Sequence, residues 1–528
     1  GLGKTELDSG TLHLPAYRAV YLDSLFREDA GVSFSRDRDF KSMVRELKET
    51  EEADAKLPEH LEGTLRDYQK KGYAWLKTLD HYGFGGILAD DMGLGKTIQI
   101  LALLSSVYEE KEDELPSLVV CPASLVYNWG HECAMFAPSL KVLLATGTME
   151  ERRTLLENAS EYDVIVTSYD LLRRDFACYQ DMEFRFQIID EAQYIKNAST
   201  QNARAAKAIR AVSRFALTGT PVENRLSELW SIFDFLMPGF LFSYRKFKSS
   251  FELPIARDED SVVLERLHRM IRPFVLRRLK SDVLKELPEK LEKVVYSAAE
   301  GRQKTLYQAA ALKLKLQLEA QDETAESSGR EKLEILSQLT ILRQLCCDPS
   351  LCFENYAGGS AKLETCISLI SSAVEAGHKL LLFSQFASML EILAKRLEKE
   401  GIRFHLLTGA TPKEERNRMV SAFSKDEVPV FLISLKAGGT GLNLTAADIV
   451  IHYDPWWNVA AQNQATDRAH RIGQKRQVTV YKLIMKHTIE ENILRLQESK
   501  QQLADQIVRE GMVSLGNLSR EELLKLFG

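Results

Sequence analysis

Short apolar segments alternate with helical stretches along most of this 528-residue chain, and that alternation constrains the fold more than any other feature. Segments rich in Val, Ile, Leu and Phe are predicted as strands at 117–121, 141–145, 163–167, 186–189, 215–218, 379–383, 404–408, 430–434, 448–453 and 478–484. Strands that alternate with helices predict parallel sheets, because a parallel connection needs a crossover element. Residues 225–345 break the rhythm, being first aromatic and basic and then helical. The sequence therefore predicts an α/β fold of two parallel-sheet lobes with a helical insertion between them.

The predicted domain boundaries follow these changes in pattern. They are an N-terminal segment or linker over 1–63, a first lobe over 64–295 with an insertion from about 225, a helical insertion and linker over 296–350, a second lobe over 351–487 and C-terminal helices over 488–528. Thr64 is expected to open the first helix of the lobe, through a capping-box-like spacing to Asp67. A long helix is predicted over 302–320 and a polar loop over 321–331. The absent initiator Met suggests a fragment of a longer protein.

The charge balance limits the classes of partner. With 69 Lys and Arg against 75 Asp and Glu, the net charge is −6, which excludes a uniformly basic nucleic-acid binder but permits a local positive groove. The most apolar run, 235–242, is too short to cross a bilayer, so no membrane partner is expected. The chain shows no signal-peptide pattern. These features predict a cytoplasmic protein.

The cysteine pattern argues against a zinc site. The seven cysteines are scattered, and only Cys346, Cys347 and Cys352 lie close together in sequence. No pair has the two-residue gap that is typical of zinc ligands. We therefore expect reduced structural thiols in a reducing compartment and no zinc.

Residues 85–97 are predicted to form a short strand, a glycine-rich turn and the start of a helix, the arrangement that binds nucleotide phosphates. Lys96 is expected to reach the β- and γ-phosphates, and the Thr97 hydroxyl to coordinate Mg²⁺. The strict pattern has glycine where this chain has Asp90, so the match is imperfect. The last five residues also occur at 1–5, where no apolar segment precedes them. Only the second copy is therefore predicted to bind nucleotide.

A second candidate site follows the predicted strand 186–189, which ends in Asp190 and Glu191. Ligands bind at the carboxyl ends of parallel strands. Asp190 is expected to hold Mg²⁺ through water, and Glu191 to orient or deprotonate the attacking water. An isolated Asp-Glu pair after a strand is commonly a solvated turn, but its position after the phosphate loop favours the catalytic interpretation.

Two arginines in the second lobe form the third candidate element. Arg468 and Arg471 are three residues apart, so on a helix they would share one face. There they could meet the γ-phosphate as arginine fingers. Taken alone, Arg-x-x-Arg is more often a solvent-facing basic helix, and both interpretations stay open at this point.

These motifs resemble those of the Swi/Snf family of helicase-like, DNA-dependent ATPases, over roughly residues 60–500. In chain order the matching segments are Leu65–Gln69, Asp90–Thr97, Cys121–Leu125, Val166–Asp170, Asp190–Glu191, Leu217–Pro221, Arg272–Lys280, Arg343–Pro349, Leu382–Phe386, Ser434–Leu444 and Asp467–Gln474. The resemblance implies RecA-like lobes. It also explains Asp90, because the family's phosphate loop lacks the same glycine. Two positions depart from many members, which carry His at Gln193 and Pro at Val459.

The resemblance also assigns residues to the nucleotide and to DNA. Gln69 is expected to hydrogen-bond the adenine edge, and the other expected ATP contacts are Asp90, Gly93, Leu94, Gly95, Lys96, Thr97, Gly441 and Gln474. DNA contacts are expected at Ser124, Ser168, Gly438, Gly439, Thr440, Trp457, Arg277 and Lys280, and coupling of hydrolysis to lobe movement at Gly219, Thr220 and Pro221. Arg277, Arg278 and Lys280 could equally brace the insertion. Trp456 is expected to pack in the core.

The function that follows is an ATP- and Mg²⁺-dependent translocase on double-stranded DNA, which binds without sequence preference and displaces or remodels a DNA-bound protein. A strand-separating helicase and a nucleotide-gated protein scaffold remain as alternatives. The intact set of Lys96, Asp190, Glu191, Arg468 and Arg471 argues against the scaffold. The compact insertion favours a bacterial member, which would be associated with the nucleoid; a eukaryotic one would be nuclear.

Overall fold

The computed structural model describes residues 16–18, 37–48, 55–109, 115–219, 226–258, 260–284, 286–319, 329–435, 444–456 and 459–495. The chain divides into two compact units, the first ending at Val283 and the second beginning at Leu284. Each unit is built on its own sheet. Within the described residues, no helix is long and apolar enough to cross a membrane.

The first unit is a seven-stranded parallel sheet covered by helices. Its strands are β1 (Gly86–Leu88), β2 (Ser117–Cys121), β3 (Val142–Leu144), β4 (Val164–Ser168), β5 (Glu183–Asp190), β6 (Arg210–Leu217) and β7 (Val275–Leu276), in the order β3-β4-β2-β5-β6-β1-β7. Its helices are α1 (Arg38–Lys48), α2 (Asp67–His81), α3 (Lys96–Glu109), α4 (Val126–Phe136), α5 (Met149–Glu157), α6 (Tyr169–Arg174), α7 (Phe176–Tyr179), α8 (Gln201–Ala208), α9 (Leu226–Leu236), α10 (Tyr244–Phe247), α11 (Leu253–Asp258), α12 (Ser261–Ile271) and α13 (Lys280–Val283).

The second unit is a six-stranded parallel sheet with the order β10-β11-β9-β12-β13-β8. Its strands are β8 (Lys290–Ala298), β9 (Leu380–Ser384), β10 (Phe404–Leu407), β11 (Val430–Ser434), β12 (Ile449–His452) and β13 (Val478–Lys486). Its helices are α14 (Gly301–Glu319), α15 (Gly329–Cys347), α16 (Ala361–Glu375), α17 (Ala387–Lys399), α18 (Lys413–Phe423) and α19 (Val459–Thr466). Shorter helical turns lie in the two units at Ala16–Arg18, Glu59–Leu61, Ala159–Glu161, Ala192–Ile195, Lys248–Glu252, Arg272–Phe274 and Pro349–Leu351.

The inner strands of each sheet are buried on both faces, which explains the continuous apolar segments in the sequence. In β9, Leu380 and Leu382 pack into one apolar cluster, whereas Leu381 and Phe383 pack into another on the opposite face. A third cluster in the second unit joins α14 and α15 to the end of β13. In the first unit, β2 and β4 are buried throughout. In β2 and β4 the polar side chains stand at the strand ends, at Ser117, Thr167 and Ser168.

The predicted fold class is confirmed, since both sheets are wholly parallel and helices connect most of their strands. All the predicted strands are present, and 117–121 and 430–434 have the predicted bounds. The sequence did not reveal β7 or β8, because β7 is only two residues long and β8 is mostly exposed, with charged residues among its apolar ones.

Several predicted boundaries differ from the structure. The first lobe was expected to extend to 295, but β8 pairs with β13 in the second sheet. The first helix of the lobe begins at Asp67 rather than Thr64, and the backbone N–H of Arg66 donates to Gln69 Oε1 at 3.0 Å. The end of the predicted loop 321–331 is helical, because α15 begins at Gly329. Most of 1–63 and of the tail 488–528 lies outside the described residues.

Candidate nucleotide site

The phosphate loop connects β1 to the N-terminus of α3, as the sequence predicted. Gly93 and Gly95 have φ angles of 84° and 76°, which side chains of L-residues rarely adopt. A Cβ atom on Gly95 would also stand 2.5 Å from Gln69 Nε2. Both glycines are therefore required by the path of the backbone, and the N-terminus of the 14-residue helix α3 faces the turn they form.

Lys96 and Thr97 occupy the first turn of α3. The Lys96 ammonium donates to the carbonyl oxygen of Asp90 at 2.7 Å, so it lies over the turn rather than extending away from it. Both side chains are partly exposed. They are thus accessible to a phosphate and its metal ion.

The start of α2 holds the loop from the other side. Tyr68 Oη and Gln69 Nε2 each donate to the Leu94 carbonyl at 2.9 Å. Burial raises the pKa of Tyr68 to about 12, so its hydroxyl keeps the donating proton at neutral pH. The predicted contact of Gln69 with adenine stays a prediction, and the structure adds a contact of this side chain with the loop backbone.

Asp90, the residue that replaces the expected glycine, is fully buried and paired. Arg278 Nε donates to Asp90 Oδ1 at 2.8 Å, and Arg278 Nη2 contacts Asp90 Oδ2. The same guanidinium donates to Gln99 Oε1 at 2.7 Å and to the backbone oxygen of Tyr68. Arg278 therefore ties α2, the phosphate loop and α3 together, a role that sequence reasoning missed for Asp90 and left open for Arg278.

The residues around Arg278 lie directly beside the loop. β7 pairs with β1, and the Asp91 N–H donates to the Arg278 carbonyl at 3.0 Å. The Lys280 N–H donates to Asp91 Oδ2 at 3.0 Å, and the Lys280 side chain is 8% exposed. The structure thus places Arg278 as a brace. DNA contact by Arg277 and Lys280 stays a prediction.

Asp190 ends β5, two strands from the phosphate loop in the same sheet. Its Oδ2 accepts from Trp129 Nε1 at 2.9 Å, and its Oδ1 accepts from the Glu191 N–H at 2.9 Å. Burial, and then the charge of Glu191, raise the pKa of Asp190 to about 7, while Trp129 and Lys96 act in the opposite direction. Lys96 is therefore near enough to act electrostatically on this carboxylate.

Glu191 has a strained backbone with φ at 52°, uncommon for a residue other than glycine. Its Oε2 accepts from Gln193 Nε2 at 2.7 Å, and Gln193 Oε1 accepts from Thr218 Oγ1 at 3.2 Å. A hydrogen-bonded chain thus runs from the candidate base to the end of β6. The family resemblance identified Gln193 as a departure but did not predict these hydrogen bonds.

The segment after β6 approaches the phosphate loop. A Cβ atom on Gly219 would lie 3.3 Å from Met92 Cγ, so this glycine allows close contact between the two loops. Thr220 and Pro221, also predicted to couple hydrolysis to movement, lie outside the described residues.

Two predicted DNA contacts of the first unit follow strands of this sheet. Ser124 lies in the turn after β2 and is partly exposed. Ser168 is 1% exposed, and its hydroxyl accepts from the Leu171 N–H at 3.3 Å as the N-cap of α6. The structure assigns Ser168 a capping role, and its contact with DNA stays a prediction.

In the second unit, Arg468 and Arg471 lie after a helix, not on one. α19 ends at Thr466, and residues 467–473 form turns. The argument that the two guanidinium groups share a helical face is therefore wrong. Arg468 is 7% exposed and its carbonyl accepts from the Leu444 N–H at 3.1 Å, whereas Arg471 is partly exposed.

Gln474 holds the turn that contains these arginines. Its Nε2 lies within hydrogen-bonding distance of the carbonyls of Thr445, Ala447 and Ala469, at 3.1, 2.8 and 3.1 Å. Its Oε1 accepts from two following backbone N–H groups, both at 2.9 Å. The described role of Gln474 is thus to position the turn, and its contact with nucleotide stays a prediction.

The structure does not describe most of the remaining predicted site residues of the second unit. Gly438, Gly439, Thr440, Gly441 and Trp457 lie outside the described residues. Trp456 packs against an apolar cluster of the second unit, as predicted.

Comparison with known proteins identifies the family. Residues 68–351, more than half of the chain, match the SNF2-related domain. The chain belongs to the SNF2-related family. Residues 361–473 match the helicase conserved C-terminal domain, and residues 1–58 match the bacterial SNF2 helicase associated family.

Relatives of this SNF2-related chain come from bacteria, archaea and eukaryotes. The putative ATP-dependent helicase/translocase YwqA of Bacillus subtilis is 42% identical over 94% of this chain and 54% of the relative. The TATA-binding protein-associated factor MOT1 of Saccharomyces cerevisiae is 36% identical over 95% of this chain and 30% of the relative. The Sulfolobus solfataricus SWI2/SNF2 ATPase core, solved in complex with dsDNA, is 38% identical, covers 85% of this chain and 93% of that chain, and has a TM-score of 0.43. The SNF2-related chain thus spans about half the length of the bacterial relative.

The oxygen-rich donor set suits Mg²⁺. Thr97 offers a hydroxyl and Asp190 a carboxylate, and Mg²⁺ prefers oxygen ligands and usually keeps several waters. Each Asp190 oxygen accepts one of the hydrogen bonds described above, which leaves further acceptor capacity on both. In the part of the chain that the structure describes, no group of three or more His, Cys, Asp or Glu side chains could hold a metal ion by itself.

Proposed function

We propose that this chain is an ATP-dependent translocase on double-stranded DNA, which couples ATP hydrolysis to closure of two lobes and displaces or remodels DNA-bound protein. The observation that carries the proposal is one sheet that presents Lys96 on the phosphate loop and the Asp190-Glu191 pair at the end of β5. Membership of the SNF2-related family and the names of the relatives support the assignment.

Phosphate binding falls to the loop between β1 and α3. The turn at Gly93 and Gly95 exposes backbone N–H groups, and the helix N-terminus favours negative charge. Lys96 is held near the turn by the Asp90 carbonyl, so it exchanges that neutral acceptor for a phosphate oxygen when ATP binds. Such a charge-assisted hydrogen bond is stronger than the one it replaces.

The carboxylates at the end of β5 divide two tasks. Asp190 and the Thr97 hydroxyl would hold Mg²⁺, which would supply positive charge against the charge that develops on the phosphates. Glu191 orients the attacking water and accepts its proton. The donation from Gln193 to Glu191 Oε2 fixes that carboxylate, and the other oxygen is the one proposed to face the water.

Arg468 and Arg471 complete the site when the lobes close. Their charges would then stabilise the transition state for transfer to water, as arginine fingers do. In the proposed cycle, ATP binding favours the closed arrangement of the lobes and hydrolysis reopens them. Alternating grip on one strand's phosphates then moves the protein along the duplex.

DNA binding is proposed to use the phosphate backbone. The expected contacts are serines, glycine-rich turns and basic side chains, which recognise phosphates and carry no sequence information. Binding should therefore weaken steeply with added salt and be similar for unrelated sequences. The protein target is proposed to be a DNA-bound protein, a class that the name of the yeast relative illustrates for that relative.

Phosphate release with and without duplex DNA tests the activity. Lys96→Ala should lower ATP turnover to background in the presence of DNA and leave DNA binding measurable, because Lys96 is assigned to the phosphates and not to DNA. Lys425→Ala is the matched control, since that lysine is exposed, follows α18 and is not among the residues assigned to nucleotide or DNA. Near-normal DNA-stimulated hydrolysis by Lys96→Ala would show that the assignment is wrong.

A second assay distinguishes translocation from strand separation. A translocase that leaves the duplex intact displaces the third strand of a triplex but does not open a forked duplex. We expect ATP-dependent triplex displacement without fork unwinding. Efficient unwinding of the fork would replace the translocase by a helicase.

A further inference from the structure

The Trp129 indole makes an unusual contact in the first unit. Trp129 lies on α4, is 1% exposed, and donates from Nε1 to Asp190 Oδ2 at 2.9 Å. Asp190 is 61 residues further along the chain and ends a different element. The contact thus joins a core helix to the carboxylate that the mechanism assigns to the metal.

Two other tryptophans in this unit, one buried and one partly buried, satisfy their indole N–H groups in a different way. Trp75 Nε1 donates to the Pro273 carbonyl at 3.0 Å, and Trp230 Nε1 donates to the Phe242 carbonyl at 3.1 Å. Those acceptors are backbone groups, which only need to be satisfied. Trp129 instead donates to Asp190, a side chain with a proposed role in hydrolysis. Its hydrogen bond can therefore affect function as well as satisfy a buried donor.

The indole and the backbone together hold the Asp190 carboxylate in one orientation. Oδ2 accepts from Trp129 and Oδ1 accepts from the Glu191 N–H, one donor on each oxygen. The Tyr169 hydroxyl donates to the Asp190 carbonyl at 2.8 Å and holds the backbone of the same residue. Partners of this kind orient metal ligands, and their loss commonly weakens metal binding by about 10- to 100-fold.

The same tryptophan is connected to the turn that follows β2. Residues 122–125 form that turn, and Leu125 is the N-cap residue of α4. The backbone N–H of Trp129 donates to the Leu125 carbonyl at 2.9 Å, so Trp129 lies one helical turn after the loop. Since a helical turn is rigid, a displacement of the loop moves the donor that holds Asp190.

We propose that Trp129 is a positioning residue, which fixes the Asp190 carboxylate for Mg²⁺ and links its orientation to the 122–125 loop. The inference rests on the proposed ATPase function and adds to it a route from the loop that contains Ser124 to the metal ligand. DNA that engages this loop would thereby favour the hydrolytic geometry. Packing of the Trp129 ring alone would not link the loop to Asp190, because the link depends on the hydrogen bond from the indole N–H.

Trp129→Phe tests the link, because phenylalanine keeps an aromatic ring in the core and removes the donor. We expect the Mg²⁺ concentration for half-maximal ATP hydrolysis to rise roughly tenfold. Stimulation by duplex DNA should fall more than the rate without DNA. Trp75→Phe is the matched control, since it removes an indole donor from the same unit and should change neither quantity.

The indole N–H signals provide a readout that does not depend on turnover. The chain has five tryptophans, and the Trp129 signal of the ¹⁵N-labelled protein is the one missing from Trp129→Phe. In the wild-type protein this signal should shift when Mg²⁺ with a non-hydrolysable ATP analogue is added, and also when duplex DNA alone is added. The Trp75 signal should stay in place. Asp190→Asn should shift the Trp129 signal without either addition.

The outcomes separate the two proposals. An unmoved Trp129 signal, together with an unchanged Mg²⁺ requirement in Trp129→Phe, would overturn the positioning role even if the wild-type protein hydrolyses ATP. A wild-type protein without ATPase activity would overturn the proposed function instead. If Trp129→Phe fails to fold, the wild-type titrations and Asp190→Asn decide the question.

Discussion

At the scale of single residues, two side chains that depart from expected motifs are each hydrogen-bonded to neighbours in the site. Asp90 stands where the strict phosphate-loop pattern has glycine, and Arg278 neutralises it. Gln193 stands where many family members have His, and it both donates to Glu191 and accepts from Thr218. An uncharged amide can do both at any physiological pH, whereas an imidazole needs one tautomer for the same pair of contacts.

The Asp90–Arg278 pair gives a prediction about stability. Arg278→Ala leaves a buried carboxylate without its charge partner, which costs about 3–5 kcal/mol in comparable cases. The urea midpoint of the first unit should therefore fall, and the loop that carries Lys96 should lose affinity for nucleotide. Chemical denaturation followed by circular dichroism measures the first effect, and nucleotide titration measures the second.

An exposed ion pair is the control for that change. On α5, Arg153 Nε lies 3.8 Å from Glu157 Oε1, and the two side chains are 74% and 65% exposed. Arg153→Ala should therefore lower the free energy of unfolding by less than about 0.5 kcal/mol. Equal losses of stability in Arg278→Ala and Arg153→Ala would mean that leaving the buried Asp90 carboxylate without its partner costs no more than breaking an exposed ion pair.

At the scale of elements, a buried ion pair connects a helix of the second unit to the end of its sheet. In the second unit, the Lys362 ammonium contacts Glu490 Oε2, and both side chains are fully buried. Glu490 Oε2 also accepts from the Met485 N–H at 2.9 Å, at the end of β13. Lys362 is in the first turn of α16, so this pair joins α16 to the residues that follow the last strand.

The buried pair predicts strongly non-additive substitutions. Lys362→Met alone leaves Glu490 buried without a counter-charge and should destabilise the second unit by about 3–5 kcal/mol. The double variant Lys362→Met, Glu490→Met removes both charges and should recover most of that loss. Thermal unfolding of the single and double variants checks this double-mutant cycle. A double variant that is less stable than either single one would contradict the expectation.

At the scale of the whole molecule, each of two compact units carries part of the proposed machinery. The first unit holds Lys96, Asp190 and Glu191, and the second holds Arg468 and Arg471. The proposed cycle therefore needs both units in one chain. An isolated first unit would bind nucleotide but have no source for the finger charges.

Arg471→Ala tests the contribution of the second unit. Because an arginine finger acts on the transition state, turnover with DNA should fall by roughly 10³- to 10⁵-fold, and nucleotide affinity should change little. Single-turnover ATP hydrolysis and equilibrium nucleotide binding separate the two effects. Weaker nucleotide binding with unchanged turnover would exclude the finger role.

The sequence by itself determined the fold class and the core of the nucleotide site. Both follow from local rules: buried parallel strands are continuously apolar, and a phosphate loop needs glycines, a lysine and a helix start in fixed order. The ends of strands such as β2 and β11 could be predicted for the same reason, because their apolar runs stop where the sheet stops.

Only the tertiary structure decided which distant residues complete that site. Arg278 reaches Asp90 across 188 residues and Trp129 reaches Asp190 across 61, and neither separation follows a helical or strand period. The tertiary structure also showed that β8 belongs to the second sheet and that α19 ends before Arg468. Strand pairing and helix ends depend on partners elsewhere in the chain. Local periodicity determines elements, whereas contacts distant in sequence determine the geometry of the site.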